Sequence, residues 1–132
     1  MPQAANIVVK NGATTPVDKT FELISPAAGD GGIGRWYLKE GAIMSAFPLL
    51  TLSSTPTSNR SRVVKLKIRV PSSFTEAATG KTIVGPAVEG NLTVSVPDDF
   101  PENGKNDAVA YISNLIGHQL IKSALRDAVP LT

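Results

Sequence analysis

Residues 62–70 have the sequence RVVKLKIRV, and the regular alternation of apolar and basic residues in this segment determines the predicted fold. Successive side chains of a β-strand point to opposite faces, so the apolar residues share one face while Lys65, Lys67 and Arg69 share the other. Residues two positions apart on one face are separated by ~6.6 Å, close to the phosphate spacing of an extended nucleic-acid strand. The segment predicts a strand with a core face and a basic ladder.

Two other segments show the same alternation with hydroxyl and amide groups in place of the cations. Residues 48–54 (PLLTLSS) alternate leucine with Thr51 and Ser53, and residues 90–96 (GNLTVSV) alternate apolar residues with Asn91 and Thr93. Strands of this design form a sheet with one apolar side and one polar, cationic side, which suits contacts to RNA phosphates and base edges. The pattern also fits the ordinary solvated face of an antiparallel sheet.

The first three quarters of the chain has the pattern of a meander of six short antiparallel strands that begins with a hairpin. Clusters of Gly, Pro, Ser and Asn separate the strands, and the spacing leaves no room for crossover helices. This argues against a doubly wound nucleotide-binding fold. The predicted strands are residues 6–10, 17–25, 33–39, 48–54, 62–70 and 90–96.

The period changes to a helical one from Asn106, which we expect to cap the start of the segment. Gly117 is expected to divide the segment into two helices. The fold class is therefore α+β, with residues 1–97 forming the sheet and residues 98–132 the helices of a single domain. One short helical tail covers only part of a sheet, so partner subunits are expected to supply the rest. The apolar helix positions are Val109, Ile112, Leu115, Ile116, Leu120, Ile121, Ala124 and Leu125.

Composition narrows the function classes. The net charge is only +2, but five cations and no acids fall between Glu40 and Glu76. There is no cysteine, which excludes disulfides and thiolate metal sites. The N-terminus lacks the apolar run of a signal peptide and no segment is long enough to span a bilayer, so we expect synthesis in the cytoplasm and no membrane partner.

No motif indicates catalysis or a bound cofactor. The glycine-rich residues 29–34 precede a strand rather than opening a helix, which is typical of a hairpin connection and not of a phosphate-binding loop. The single histidine, His118, lies in the helical tail without cysteine partners. The acidic residues of 98–107 match no EF-hand spacing, and acids are common at helix N-termini. We expect no metal, no cofactor, no small-molecule substrate and no enzymatic activity.

The chain resembles the coat proteins of the single-stranded RNA bacteriophages. Residues 48–71 (PLLTLSSTPTSNRSRVVKLKIRVP) resemble the central strand pair of that family, and residues 89–125 resemble its last strand, Pro-containing connection and helical tail. The resemblance implies that Thr51, Ser53, Lys65, Lys67 and Asn91 face RNA, with Thr55 at a position where some members of the family have a cation. The aromatic residue that stacks on a base in some members is replaced by Glu89. The candidate RNA-binding residues are Lys65, Lys67, Arg69, Thr51, Ser53, Asn91, Thr93 and Arg62.

The resemblance also implies an assembly. Two sheets would join edge to edge in a dimer, the helices of each subunit would clasp the other's sheet, and dimers would form an icosahedral virion around phage RNA, with an operator hairpin as a further target. Residues 72–90 correspond to the loop that meets neighbouring subunits, with Gly80, Gly85 and Pro86 giving it freedom. A monomeric sheet-type RNA-binding module is the alternative, although its basic strand lacks stacking aromatics. The helix residues implied at the dimer interface are Ile112, Leu115, Ile116, Leu120, Ile121 and Leu125.

Overall fold

The computed structural model describes residues 3–29, 31–40 and 43–131. The chain divides into two units, Met1–Pro97 and Asp98–Thr132. The first contains a β-sheet and the second contains two helices.

The sheet has six antiparallel strands whose spatial order is the same as their order in the sequence. This confirms the predicted meander with its N-terminal hairpin. A 3₁₀ turn at Met44–Ala46 lies between the third and fourth strands. The strands are β1 (Ile7–Lys10), β2 (Asp18–Ser25), β3 (Ile33–Tyr37), β4 (Leu49–Pro56), β5 (Ser61–Thr75) and β6 (Thr82–Pro97).

The alternation in β3, β4, β5 and β6 gives the sheet an apolar face, which holds Trp36, Leu50, Leu66 and Leu92. Trp36 is 5% exposed, and its Nε1 donates a hydrogen bond of 2.8 Å to the carbonyl oxygen of Ala5. Alternation puts the adjacent Trp36 and Tyr37 on opposite faces without showing which of them faces the core, and the structure assigns the core face to Trp36. Leu50, Leu66 and Leu92 remain only half-buried in the single chain.

Space for the indole ring of Trp36 depends on a glycine in the same strand. A Cβ atom at Gly34 would lie 2.9 Å from Cη2 and 3.0 Å from Cζ3 of Trp36. Real Cβ contacts are not this short, so either the ring or the backbone would have to move. Gly34 is therefore required by packing, and not by an unusual backbone conformation.

The segment predicted as a loop, residues 72–90, is mostly a continuation of the β5–β6 hairpin. Thr75 pairs with Thr82, so that only residues 76–81 form the turn, and Gly80 adopts a φ of +70° there. The prediction of a long loop is wrong because the β-branched residues at 82–84 favour strand pairing more strongly than the nearby Gly and Pro oppose it.

A β-bulge accommodates the glycine and proline of β6. The register shifts between Pro71 and Ser73, so that Ser72 faces both Gly85 and Pro86. The hydroxyl of Ser72 donates a 2.6 Å hydrogen bond to the carbonyl oxygen of Pro86, which has no N–H to offer the ladder. A Cβ at Gly85 would lie 2.7 Å from that hydroxyl oxygen. The bulge therefore explains why residue 85 is glycine.

The C-terminal unit consists of α1 (Glu102–Ile116) and α2 (Gln119–Asp127). The predicted break at Gly117 is confirmed, but the predicted start at Asn106 is wrong, because α1 begins four residues earlier. Pro101 stands at its N-cap with φ fixed at −60°, and Glu102 in the first turn pairs with Lys105 at 2.9 Å. Within the described ranges, no helix is long and apolar enough to cross a membrane.

Candidate nucleic-acid interface

Two rows of paired residues cross the face opposite Trp36, which we call the basic face. In the first row Thr51 pairs with Arg35 on one side and Lys67 on the other, and Lys67 pairs in turn with Asn91. Directly paired residues of antiparallel strands project to the same side of the sheet. The register thus brings together three of the predicted residues, Thr51, Lys67 and Asn91, and adds Arg35.

The second row is built in the same way around Ser53. Ser53 pairs with Ile33 of β3 and with Lys65 of β5, and Lys65 pairs with Thr93 of β6. Lys65 and Lys67, which carry the ammonium groups of the two rows, are both exposed. Each cation is therefore flanked on both sides by a hydroxyl or amide group, as the sequence predicted.

The two rows enclose a shallow depression of about 290 Å³. Its lining combines two cations, three hydroxyls and an amide with an aliphatic side chain contributed by Ile33. Such a surface offers point charges for phosphates, hydrogen-bond donors and acceptors for base edges, and an apolar contact for a base. The lining residues are Ile33, Thr51, Ser53, Lys65, Leu66, Lys67, Asn91, Leu92 and Thr93.

A third row, around Leu49, carries charges that are already compensated. Leu49 pairs with Tyr37 and with Arg69, and Arg69 pairs with Glu89. Nε of Arg69 lies 3.5 Å from Oε1 of Glu89. Glu89, which replaces the stacking aromatic residue of the family, thus neutralises Arg69 and reduces the contribution of this predicted cation.

Arg62 does not lie on the basic face. It pairs with Pro56 and Val96 and so shares the opposite side of the sheet, where its guanidinium donates to Oγ of Ser54 at 3.3 Å. The inclusion of Arg62 in the RNA-binding set does not fit this register, because residues an odd number of positions apart in one strand face opposite ways. Arg62 is three residues from Lys65 and is excluded from that row.

Arg35 and Tyr37 are the residues of the basic face that sequence reasoning missed. Both flank Trp36 in β3, and Tyr37 makes an edge-to-face contact with Phe47 at 6.3 Å between ring centroids. The alternation of side chains along β3 contains this information, because Arg35 and Tyr37 face the opposite side once Trp36 is assigned to the core. Because alternation alone does not show which face Trp36 occupies, it does not assign Arg35 and Tyr37 to the basic face either.

The residues implied in subunit contacts lie at apolar or irregular positions. In the helices, Leu115, Ile116, Leu120 and Leu125 are exposed, while Ile112 and Ile121 are half-buried. Gly80 lies in the turn of the β5–β6 hairpin, and Gly85 and Pro86 lie at its bulge. Their contacts with other subunits stay a prediction.

The features that sequence reasoning discounted have structural explanations. Nδ1 of His118 accepts a hydrogen bond of 3.2 Å from the backbone N–H of Leu120 and thereby caps α2. The glycine-rich residues 29–34 span the end of the β2–β3 connection and the first two residues of β3, with Asp30 outside the described residues. In the part of the chain that the structure describes, no three carboxylate or imidazole side chains are grouped as a metal site would require.

Comparison with known proteins identifies a family. A family model described as levivirus coat protein matches residues 2–131. No curated protein sequence matches the chain. Among solved structures, the virus-like particle of bacteriophage NT-214 is 27% identical with a TM-score of 0.87, covering 99% of this chain and 100% of its own.

Two further solved structures share the fold at lower identity. The virus-like particle of Beihai levi-like virus 21 is 22% identical with a TM-score of 0.83, and 99% of each chain is covered. The protein capsid of bacteriophage GA is 16% identical with a TM-score of 0.74, and 96% of each chain is covered. Six antiparallel strands followed by two helices are thus a shared architecture.

Proposed function

Because the chain belongs to the levivirus coat protein family, we propose that it forms dimers that close into a shell and that it binds single-stranded phage RNA on the basic face. Membership of the family makes the protein a structural capsid component. The observation that carries the RNA-binding proposal is the pair of rows that places Lys65 and Lys67 between hydroxyl and amide groups.

The charges of these rows support an electrostatic contact with RNA. Within residues 3–29, 31–40 and 43–131, neither Lys65 nor Lys67 has an ion-pair partner. A cation without a carboxylate partner can displace a condensed counterion from a phosphate, whereas a paired cation must first give up its partner. The two lysines are ~6.6 Å apart along β5, so they match two phosphates of an extended strand.

Incomplete burial of the chain supports dimer formation. Among the described residues only Phe21, Gly34, Trp36 and Ala46 are buried. Three apolar side chains of the helices, Leu115, Leu120 and Leu125, are each more than half exposed in the single chain. Apolar exposure of this kind is typical of surfaces that bind other proteins. A second copy of the chain would cover these side chains.

The free edge of β6 supports a particular mode of pairing. This strand has 16 residues and is the last in the sheet, and no strand among the described residues pairs with its outer edge. Long unpaired edges are normally protected, because they add strands from other molecules. Antiparallel pairing with β6 of a second subunit would close this edge and extend the basic face across both subunits.

The remaining parts of the proposal follow from the capsid role. The protein is proposed to reside in the virion after synthesis in the cytoplasm of the bacterial host, and to act without enzymatic activity or a cofactor. Binding of an operator hairpin, which would repress translation, is proposed for the same face.

Electron microscopy of the recombinant full-length protein, together with its ratio of absorbance at nucleic-acid and protein wavelengths, tests these proposals. We expect uniform spherical particles that contain RNA. Empty particles would leave the capsid role intact and contradict RNA binding. A monomer that binds RNA would favour the alternative of a sheet-type RNA-binding module, and a monomer free of nucleic acid would contradict both.

A further inference from the structure

A second depression of about 210 Å³ lies beside the first on the basic face. It shares Ile33, Thr51 and Lys67 with the first depression and adds Arg35, Leu49 and Arg69. Its aliphatic lining comes from Ile33 and Leu49, and the remaining side chains bring three cations and one hydroxyl. The depression therefore has the composition of an anion site with an apolar border.

Two of the three cations are available to a ligand. Arg35 is exposed, and across residues 3–29, 31–40 and 43–131 it takes part in no side-chain hydrogen bond or ion pair. Lys67 is likewise exposed and, among these residues, without a side-chain hydrogen bond or ion pair, whereas Arg69 forms an ion pair with Glu89. Available positive charge in this depression is thus concentrated on Arg35 and Lys67.

The register places these two residues on either side of Thr51. Thr51 pairs directly with Arg35 of β3 and directly with Lys67 of β5, so that the threonine stands between the two cations. Adjacent strands lie about 4.8 Å apart, which separates the Cα atoms of Arg35 and Lys67 by ~9.6 Å. Both side chains are long enough to lean over Thr51 and meet a group seated on its hydroxyl.

A phosphodiester has the chemistry that this arrangement recognises. A guanidinium can donate two parallel hydrogen bonds to phosphate oxygens, an ammonium acts as a point charge, and a threonine hydroxyl can donate to a third oxygen. The carboxylates Glu22 and Glu89 lie in the neighbouring row, where they pair with Lys39 and Arg69 at 2.8 Å and 3.5 Å. These pairs leave the row around Leu49 without net attraction for phosphate.

We infer that Arg35, Thr51 and Lys67 form a second RNA contact on the basic face, which binds a backbone phosphate of single-stranded RNA. This inference rests on the proposed RNA-binding function and extends it to β3. Lys67 borders both depressions, so the bound strand crosses the sheet from β5 toward β3 and does not run along β5 alone. Arg35 is the residue that distinguishes this path from a ladder confined to Lys65, Lys67 and Arg69.

The salt dependence of RNA binding by the full-length protein tests the inference. The affinity for a fluorescent single-stranded RNA is measured between 50 and 200 mM salt for the wild type and for R35Q. Loss of one phosphate contact reduces the slope of log affinity against log salt by ~0.7 and weakens binding about 5-fold at 0.1 M salt. R35K keeps the charge and is expected to restore the slope.

K10Q is the matched control, since Lys10 lies on β1 outside both depressions and pairs with Asp18 at 2.9 Å. It removes the same charge and is expected to leave the slope unchanged. A slope for R35Q equal to that of the wild type, or an equal loss in K10Q, would overturn the second contact while the proposed function stands. Absence of RNA binding by the wild type would overturn the proposed function, and this contact with it.

Discussion

Replacing Leu125 with alanine distinguishes a chain that is complete by itself from one that needs a partner. In the single chain Leu125 is 68% exposed, on the apolar side of α2 that also carries Leu120, which is 57% exposed. If Leu125 stays in water, the substitution removes almost no buried surface. If α2 packs on a second subunit as proposed, the same substitution leaves a cavity in an interface.

The two cases predict losses in the free energy of unfolding that differ severalfold. An exposed site away from special features changes stability by about 0.5 kcal/mol or less, whereas truncation of a buried leucine to alanine costs about 2–5 kcal/mol. Alanine is also the better helix former, so intrinsic propensity favours the variant and cannot produce a loss. We expect a loss of at least ~2 kcal/mol per subunit. Tenfold dilution of the protein should lower the apparent free energy of unfolding by a further ~1.4 kcal/mol per dimer.

Urea unfolding measures this loss, under conditions in which light scattering shows no shells. Trp36 is the only tryptophan and is buried, so its fluorescence reports on the sheet. V8A is the control, because Val8 is 57% exposed but lies on β1, and we expect a change of about 0.5 kcal/mol or less for it. An L125A protein as stable as the wild type, with a midpoint independent of protein concentration, would refute the dimer proposal.

Three further substitutions test the basic face, the core and the C-terminal helix. In K65Q/K67Q the loss of two phosphate contacts should reduce the salt slope of RNA binding by ~1.4 and weaken binding about 25-fold at 0.1 M salt. G34A should destabilise the protein by about 1–3 kcal/mol in urea unfolding, because its Cβ would overlap the indole ring. H118A should lower stability by ~1 kcal/mol, because α2 loses its side-chain cap.

Each of these variants has a matched control. K10Q/K105Q removes two cations that are paired with Asp18 and Glu102, and an equal loss of RNA affinity there would show that net charge alone matters. G12A places a Cβ where no atom lies within 4 Å, and a destabilisation as large as that of G34A would contradict the packing argument. H118N retains a capping group and should stay near wild-type stability; if it is as weak as H118A, the cap is not the cause.

The alternation of side chains was sufficient to predict the strands and the basic face. In residues 48–54, 62–70 and 90–96 the local strand preference and the hydrophobic pattern agree, and alternation alone assigns Ser53, Lys65 and Thr93 to the polar face. Where local and global preferences agree in this way, sequence reasoning needs no information about distant contacts.

The errors arose where one local signal was given too much weight. Gly85 and Pro86 suggested a loop, but a bulge opposite Ser72 absorbs both residues within the hairpin. Asn106 is a good capping residue, yet the helix starts at Glu102 because Pro101 fixes the preceding backbone. In both places a single residue type favoured one structure while its neighbours could form another.

The placement of cations required a face assignment and not only a count of charges. Arg62 was included with the basic residues of β5 although its position in the alternation directs it to the other face. Arg35 stands on a different strand, 32 residues before Lys67 in the sequence, and joins the row of Lys67 only through the pairing of β3 with β4 and of β4 with β5. Charge clusters in a sheet are two-dimensional, so a linear window detects only part of them.

The strictly sequential order of the strands has a kinetic consequence. In the part of the chain that the structure describes, paired strands are always consecutive in the sequence, so each pairing closes a short segment at low entropic cost. Hairpins of this kind form in about 1–10 μs, much faster than a ribosome adds residues, and the sheet can therefore grow during synthesis. In the proposed dimer, meeting a second chain is then the slow event, and the appearance of stable subunits is expected to follow second-order kinetics in newly made protein.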